Sequence, residues 1–533
     1  MAVLAAAILV PAASGAAQPR LTKERATALF LGNDKVADWL DRYPHDGRVT
    51  DATYEPDSSK CSAGGTGGCW NVTVTWKKND KVDAGVIATG KVDDSTTRVT
   101  EAWTGPQVAW KMARGYEGAF GGKKINSLRY WLPFCFVFLL GLLDFRRPLS
   151  LRNLDLVALL SFSVSLWYFN HGNVFTSVPL VYPPLLYLLA RCVWIGARGR
   201  PVRAARPLWK RAQRISSGVM PYDNFPKEDA LKACGPADSA GEIRDRIQFN
   251  GRCESANPLG DTYGPVAYEA YLPGYWIRGW SGKWDKLPAV HLTSIIFDVL
   301  CALGLGLAGL RYGGRWLGAA LVFAWAAFPF TQYASMSNTN DTIVPAFLIF
   351  GFWLAGSPWA RGISVALSGL TKFAPLIVAP LWLTYPGPVR RPRPALAFAA
   401  GFVVATVVAF SILLFDGHPV QAAQTFYERT LKTQIMRESP FSLWDWAQYH
   451  ARGIPDLHIV QRVLEGLLVL GALVAAFVPR TKTPLQLAAL TGALLIGFEL
   501  VLTHWSWLYI PWFFPFVVFA LLFGAREQPQ ASV

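Results

Sequence analysis

From Leu128 to Phe523 the chain repeats one unit: an apolar run long enough to cross a bilayer as a helix, then a short polar connector. Hydrocarbon offers no partner for a bare N–H or C=O, so such runs are restricted to α-helices that bond their own backbone. Spanning segments are expected at 128–143, 153–169, 178–196, 289–310, 316–333, 341–356, 395–415, 458–478, 485–503 and 506–524. Residues 363–384 carry basic flanks on both sides and are interrupted by Lys372 and Pro375. Two half-helices that return to the side they left fit that pattern better than one crossing.

Charge agrees with lipid as the solvent. Only 16% of the 533 residues are charged and 52% are hydrophobic, where an ordinary soluble protein carries about 25% charge. The net charge of +15 suggests nucleic acid at first. Its distribution argues against that: Arg146, Arg147 and Arg152, the run Arg198 to Arg214, Arg311 and Arg315, Arg390, Arg391 and Arg393, and Arg480 with Lys482 all sit in connectors. This is the positive-inside pattern of a polytopic protein, and no nucleic-acid partner is expected.

Ahead of the first run lies a chain of different character. Residues 1–17 read as a signal peptide or N-terminal anchor, with small residues up to Ala17. Residues 18–125 are polar and read as an extracytoplasmic α+β domain: a helix over 22–42, strands at 48–54, 70–76, 82–89 and 98–103, and a closing helix from Gly105-Pro106 to Gly118. Trp70, Val72, Val74 and Trp76 alternate with Asn71, Thr73 and Thr75, the period of a half-buried strand. Asn79-Asp80 marks a hairpin turn. Helix plus meander is similar to PepSY or cystatin-like folds. Cys61 with Cys69, and Cys234 with Cys253, suit disulfides in an oxidising compartment, whereas Cys135, Cys192 and Cys301 lie inside apolar runs. Parity leaves one conflict. An exported N-terminus places Arg198 inside and the loop from Asp261 outside, yet 205–220 is too polar to span and 262–280 is broken by Pro265 and Pro273.

Chemistry concentrates in the loops expected outside, near 215–288 and 416–457. The stretch 253–288 sets Asp261 and Glu269 among tyrosines and tryptophans; aromatic faces stack on sugar rings and a carboxylate can take a hydroxyl proton. An interfacial aromatic belt is the plainer alternative. In 425–446, Arg429, Lys432 and Arg437 could clamp a phosphate, or form an ordinary solvated helix face. Asn338, Asn340 and Asp341 precede a spanning run and read as helix caps. Lys372 must pair or snorkel. His171 and His504 stand in short loops without metal spacing. The phosphate-cradling GxxxxGK[ST], HExxH and GxSxG patterns are all absent, which removes most support for ATP-driven transport and zinc proteolysis.

The order VYPPLLYLL, GDTYGPVAYEAYLP, SNTNDTIVPAFLIF, LSGLTKFAPLIVAPL and RESPFSLWDW resembles polytopic glycosyltransferases of the GT-C superfamily over roughly residues 126–525, within a membrane domain of 126–533. The likeness is nearest to the polyprenyl-phosphate-mannose-dependent type of actinobacterial envelope synthesis. That resemblance implies an all-α polytopic membrane protein of about ten to twelve transmembrane helices with a small α+β extracytoplasmic N-terminal domain, in the plasma (inner) membrane. It implies a polyprenyl-phosphate sugar as donor, an envelope glycan or glycolipid as acceptor, the lipid bilayer as the other partner, and no required cofactor. A divalent metal is left open. The general base would be Asp261, then Asp223 or Glu269. The donor phosphate would meet Arg437, Arg429 and Lys432, and the sugars Tyr263, Tyr268, Trp444 and His171. The loop 170–177 lacks the acid the family usually places there. A flippase or solute transporter built on broken helices, and a non-catalytic envelope scaffold, are the competing classes.

Overall fold

In the computed structural model the described residues are 19–58, 61, 67–78, 82–104, 125–171, 173–198, 245–247, 253–255, 263–279, 288–387, 392–415, 418–432, 434, 439 and 441–524. The expected signal peptide, the Asn79-Asp80 turn and the closing helix to Gly118 fall outside them. They divide between two compact units, one of residues 1–110 with 446–455 and one of 111–445 with 456–533.

In the first unit, α1 (Lys23–Leu31) and α2 (Asp34–Leu40) precede a four-stranded antiparallel meander of β1 (Arg48–Glu55), β2 (Cys69–Lys78), β3 (Val82–Asp93) and β4 (Val99–Thr104). The single helix expected over 22–42 is two helices. Gly32, a poor helix former, ends the first, and Asn33 begins the second. Trp70, Val72, Val74 and Trp76 are buried on one face of β2, and Trp39 of α2 donates its indole N–H to the Ile87 carbonyl at 2.9 Å. Cys61 and Cys69 are disulfide-bonded. The sequence-distant segment 446–455 belongs to this unit as well: the Tyr43 hydroxyl donates to the Tyr449 carbonyl at 2.7 Å, Trp39 and Tyr449 meet edge to face at 5.7 Å, and the Arg452 N–H reaches the Arg42 carbonyl at 3.1 Å.

The second unit is helical and polytopic. Helices fall on all ten expected runs; among the described residues five are long and apolar enough to span, or six if the bent pair Arg315–Ala327 and Pro329–Met336 counts as one. Hydrogen bonds between helices sort their termini into two ends. At the end carrying the basic connectors, Gln486 Nε2 donates to the Gly196 carbonyl at 2.9 Å, Thr384 Oγ1 to Ala476 at 2.7 Å, and the Lys482 N–H to Pro386 at 2.6 Å. At the far end, Trp444 Nε1 donates to Leu500 and Gln461 Nε2 to Val501, each at 2.8 Å, and Trp507 Nε1 to Ser165 Oγ at 3.3 Å. The helix Pro484–Val501 is buried almost all round, as the central element of a bundle must be.

Residues 358–384 form the broken hairpin anticipated from Lys372 and Pro375: a helix Pro358–Thr371, a 3-10 turn Ala374–Val378 and a helix Ala379–Thr384. Arg361, 1% exposed, ties its two ends together. Its guanidinium donates to the carbonyls of Trp382 at 2.8 Å and Tyr385 at 2.7 Å, and to that of Ala355. Beginning and end of the segment therefore lie side by side. The crossing required between Arg198 and Asp261 is not supplied by 263–279, which forms two short helices, Pro265–Glu269 and Leu272–Arg278; 201–244 lie outside the described residues.

Candidate active site

Broken helices place the site. The helix Pro358–Thr371 stops at Lys372, whose backbone turns extended before Pro375 removes a donor from the next turn. The helix Ile343–Trp353 is entered through a 3-10 turn, Asn340–Thr342, capped by the Thr339 hydroxyl rather than by Asp341. The capping role expected of Asp341 is therefore corrected. Its carboxylate, 3% exposed at the side chain, lies 2.6 Å from Lys372 Nζ, and the same oxygen accepts the Trp512 indole N–H at 3.0 Å. A carboxylate at a helix start and an ammonium at a helix end each meet the favourable end of a helix dipole, which offsets part of the desolvation of a buried pair.

Aromatic rings surround the ammonium. Lys372 Nζ lies 4.7 Å from the Tyr509 ring centre, 5.1 Å from Trp512 and 5.3 Å from Tyr263, and Tyr509 stacks on Trp512 at 4.2 Å. Tyr263 arrives on the start of the Pro265–Glu269 helix, with its N–H on the Tyr268 hydroxyl at 3.1 Å. That helix presses on the neighbouring chain through Gly264, where a Cβ would stand 1.9 Å from the Leu370 carbonyl oxygen. Only glycine permits such an approach, two residues from Lys372. Tyr271 is held within electrostatic reach of Tyr263 and Asp341, its hydroxyl kept un-ionised first of all by burial. Tyr268, like Phe373 and Phe410, packs against the buried cluster of Ile412, Leu413, Ala422 and Phe426.

Three acidic or imidazole groups flank this centre. Glu269 has one buried carboxylate oxygen with no hydrogen-bond partner among the described residues, and burial pushes its acid up to about 7. Glu499, 2% exposed, accepts the Trp505 indole N–H at 3.2 Å through one oxygen, while the other is buried and has no hydrogen-bond partner among the described residues. His504 Nδ1 is 2.8 Å from Ser439 Oγ, and its ring lies 6.3 Å from Tyr509. Nearby, His291 Nδ1 is 2.5 Å from the Asn338 side-chain oxygen, and Asn338 adopts φ +55. Asn338 thus serves as a left-handed turn held by histidine, rather than as a cap. Among the described residues no three His, Cys, Asp or Glu side chains gather as a metal group.

Of the residues singled out from sequence, Asp261, Asp223, Arg437 and Cys234 lie outside the described residues. Cys253 begins a short strand, Cys253–Ser255, paired with Asp245–Ile247. Tyr263 is brought to the Lys372 pair, with Tyr268 bonded to it. Arg429, half-buried, and Lys432, exposed, stand on a π-helical turn, Tyr427–Lys432. Trp444 is buried and spends its N–H on Leu500; His171 turns its ring onto Trp167 of its own helix, 2.7 Å from that residue's carbonyl. Sequence reasoning passed over Glu499, Tyr509 and Trp512. An ionisable residue in the run LIGFELVL was the available signal for Glu499; Tyr509 and Trp512 carry no local signal beyond aromatic enrichment near a membrane edge.

Residues 262–511 match the family model described as glycosyltransferase family 87. The matched region takes in Tyr263, Asp341, Lys372 and Tyr509, and ends one residue before Trp512. It covers a little under half of the chain and supports a membrane glycosyltransferase. No curated protein and no solved structure matches the chain.

Proposed function

We propose that the Lys372–Asp341 centre is the transfer site of an enzyme that moves a sugar, mannose first among candidates, from polyprenyl phosphate to an envelope glycan or glycolipid on the outer face of the plasma membrane. The carrying observation is a buried ammonium, paired to one carboxylate and ringed by three aromatic faces, where interrupted helices end opposite the basic connectors. In the reaction the bond from the anomeric carbon to the phosphate oxygen breaks and the acceptor oxygen takes its place. The departing phosphate keeps the bonding electrons and the acceptor proton goes to a carboxylate. An ammonium in a low-dielectric site favours that departing charge, and aromatic faces suit a pyranose ring. Arg437, Arg429 and Lys432 remain the outer-loop candidates for the phosphate.

For the base, Asp261 stands two residues before Tyr263 in the sequence and is the first choice, with Asp223 behind it. Glu269, with one oxygen lacking a hydrogen-bond partner among the described residues and an acid near 7, has the proton affinity a base needs at neutral pH. The test is purified enzyme in nanodiscs with labelled polyprenyl-phosphate mannose and extracted glycolipid. Product formation with an Asp261→Asn variant slowed by about 10²–10⁴, at unchanged donor binding, is the expected result. Translocation of the label without product would reject transfer, and near-normal turnover in Asp261→Asn would move the base to Glu269 or Asp223.

A further inference from the structure

A groove of about 420 Å³ opens between the helices Leu128–Leu142 and Arg315–Ala327, on the surface of the bundle. None of the residues of the Lys372–Asp341 centre lines it. Its floor is Phe323 with Ala326 and Ala327, the two alanines leaving the recess; its wall is Arg129, Pro133 and Val137. These last three are spaced by four residues and so form one stripe along the helix. The next position, Gly141, closes the lower end, because a Cβ there would stand 2.3 Å from the Phe323 ring. Arg129 is the charged group at the upper end. It is exposed, and among the described residues its guanidinium makes no hydrogen bond or ion pair.

The location makes an unpaired arginine informative. Arg129 lies in the first turn of the helix, at the end away from the Arg146–Arg152 connector and so on the side opposite the basic connectors. From Arg129 to Val137 the helix rises about 12 Å, less than the roughly 15 Å depth of one leaflet's hydrocarbon. A guanidinium at headgroup depth above an apolar furrow one leaflet deep complements a phosphate with an acyl chain beneath it.

We propose that this groove binds a single anionic phospholipid of the bilayer, the phosphate on Arg129 and one acyl chain along Pro133 and Val137. A polyprenyl chain, far longer than one leaflet is deep, fits the closed lower end less well. The site does not depend on the transferase reading.

Native mass spectrometry of the full chain released from detergent, titrated with phosphatidylglycerol, phosphatidylcholine or polyprenyl phosphate, tests it. One phosphatidylglycerol should be retained, with Arg129→Gln weakening retention by about tenfold, the loss of one charge-assisted contact. Arg129→Lys should keep most of it, and Val137→Trp, which fills the furrow from an exposed position, should abolish it. Thermal midpoints of the variants near that of the parent chain separate lost binding from lost folding. Equal retention by Arg129→Gln and the parent chain, or equal retention of phosphatidylcholine, overturns the proposal. Preferential retention of polyprenyl phosphate overturns the phospholipid assignment.

Discussion

Lys372 and Asp341 are each tolerable only because of the other. Removing the ammonium alone leaves a buried carboxylate whose remaining side-chain partner among the described residues is the Trp512 N–H, and breaking such a pair costs about 3–5 kcal/mol. Lys372→Met should therefore lower the thermal midpoint as well as abolish transfer. Lys372→Met combined with Asp341→Asn should recover most of the stability and none of the activity. Thermal unfolding in parallel with product assays checks this, and recovery of activity in the double variant would make the pair a structural latch. Glu269 carries a pH signature. Its acid is raised by burial from an ordinary value near 4.5 to about 7, so the folded chain holds a proton that the unfolded chain has released between those values. Stability from this group is greatest at low pH and declines as pH rises from about 4.5 to 7. If Glu269 is the base, transfer rises over the same approach to pH 7. Glu269→Gln should flatten the decline in stability, and a pH-rate profile unchanged by that substitution would remove Glu269 from the proton-accepting role.

At the scale of elements, close approach decides the site. The Pro265–Glu269 helix reaches the tip of the broken hairpin because Gly264 has no Cβ to strike the Leu370 carbonyl. Gly264→Ala should push that helix away and detach Tyr263 from Lys372. The expected result is a fall in transfer together with a lowered midpoint, since Pro265, Val266 and Ala267 of that helix are buried; full activity would show that Tyr263 is dispensable. The segment 446–455 is a second case. It supplies Tyr449 to Trp39 and Tyr43 in the N-terminal unit, so a fragment of residues 18–125 should be more stable with a 446–455 peptide than without it. Unchanged denaturant midpoints on adding the peptide would count against that. Within the same unit the Cys61–Cys69 bond closes a short loop, and Cys61→Ser with Cys69→Ser should cost about 2–3 kcal/mol on the chain-entropy account, read from denaturation curves.

Across the whole molecule, periodicity marked where helices and strands lie, since an apolar run in lipid and an alternating run on a sheet each have one way to satisfy their backbone. All ten expected runs became helices, the strands of the meander fell within a few residues of their expected bounds, and the break at Lys372 was visible because a charge and a proline cannot sit unaided in an apolar helix. The glycosyltransferase class was also legible, through an order of motifs of which all but VYPPLLYLL fall within or overlap the family match. Partnership was not legible. Nothing local says that Asp341 ignores its own helix start to meet Lys372 thirty-one residues away, or that Trp512 and Tyr509 turn from an interfacial belt to an ammonium. Nor does local sequence reveal that residues 446–455 complete a sheet-and-helix unit begun four hundred residues earlier. Propensity and hydropathy act over one turn or one strand. Charge pairing, ring contact and the fit of Gly264 against Leu370 depend on which surfaces the packed chain brings within a few ångströms, and only the tertiary structure decides that.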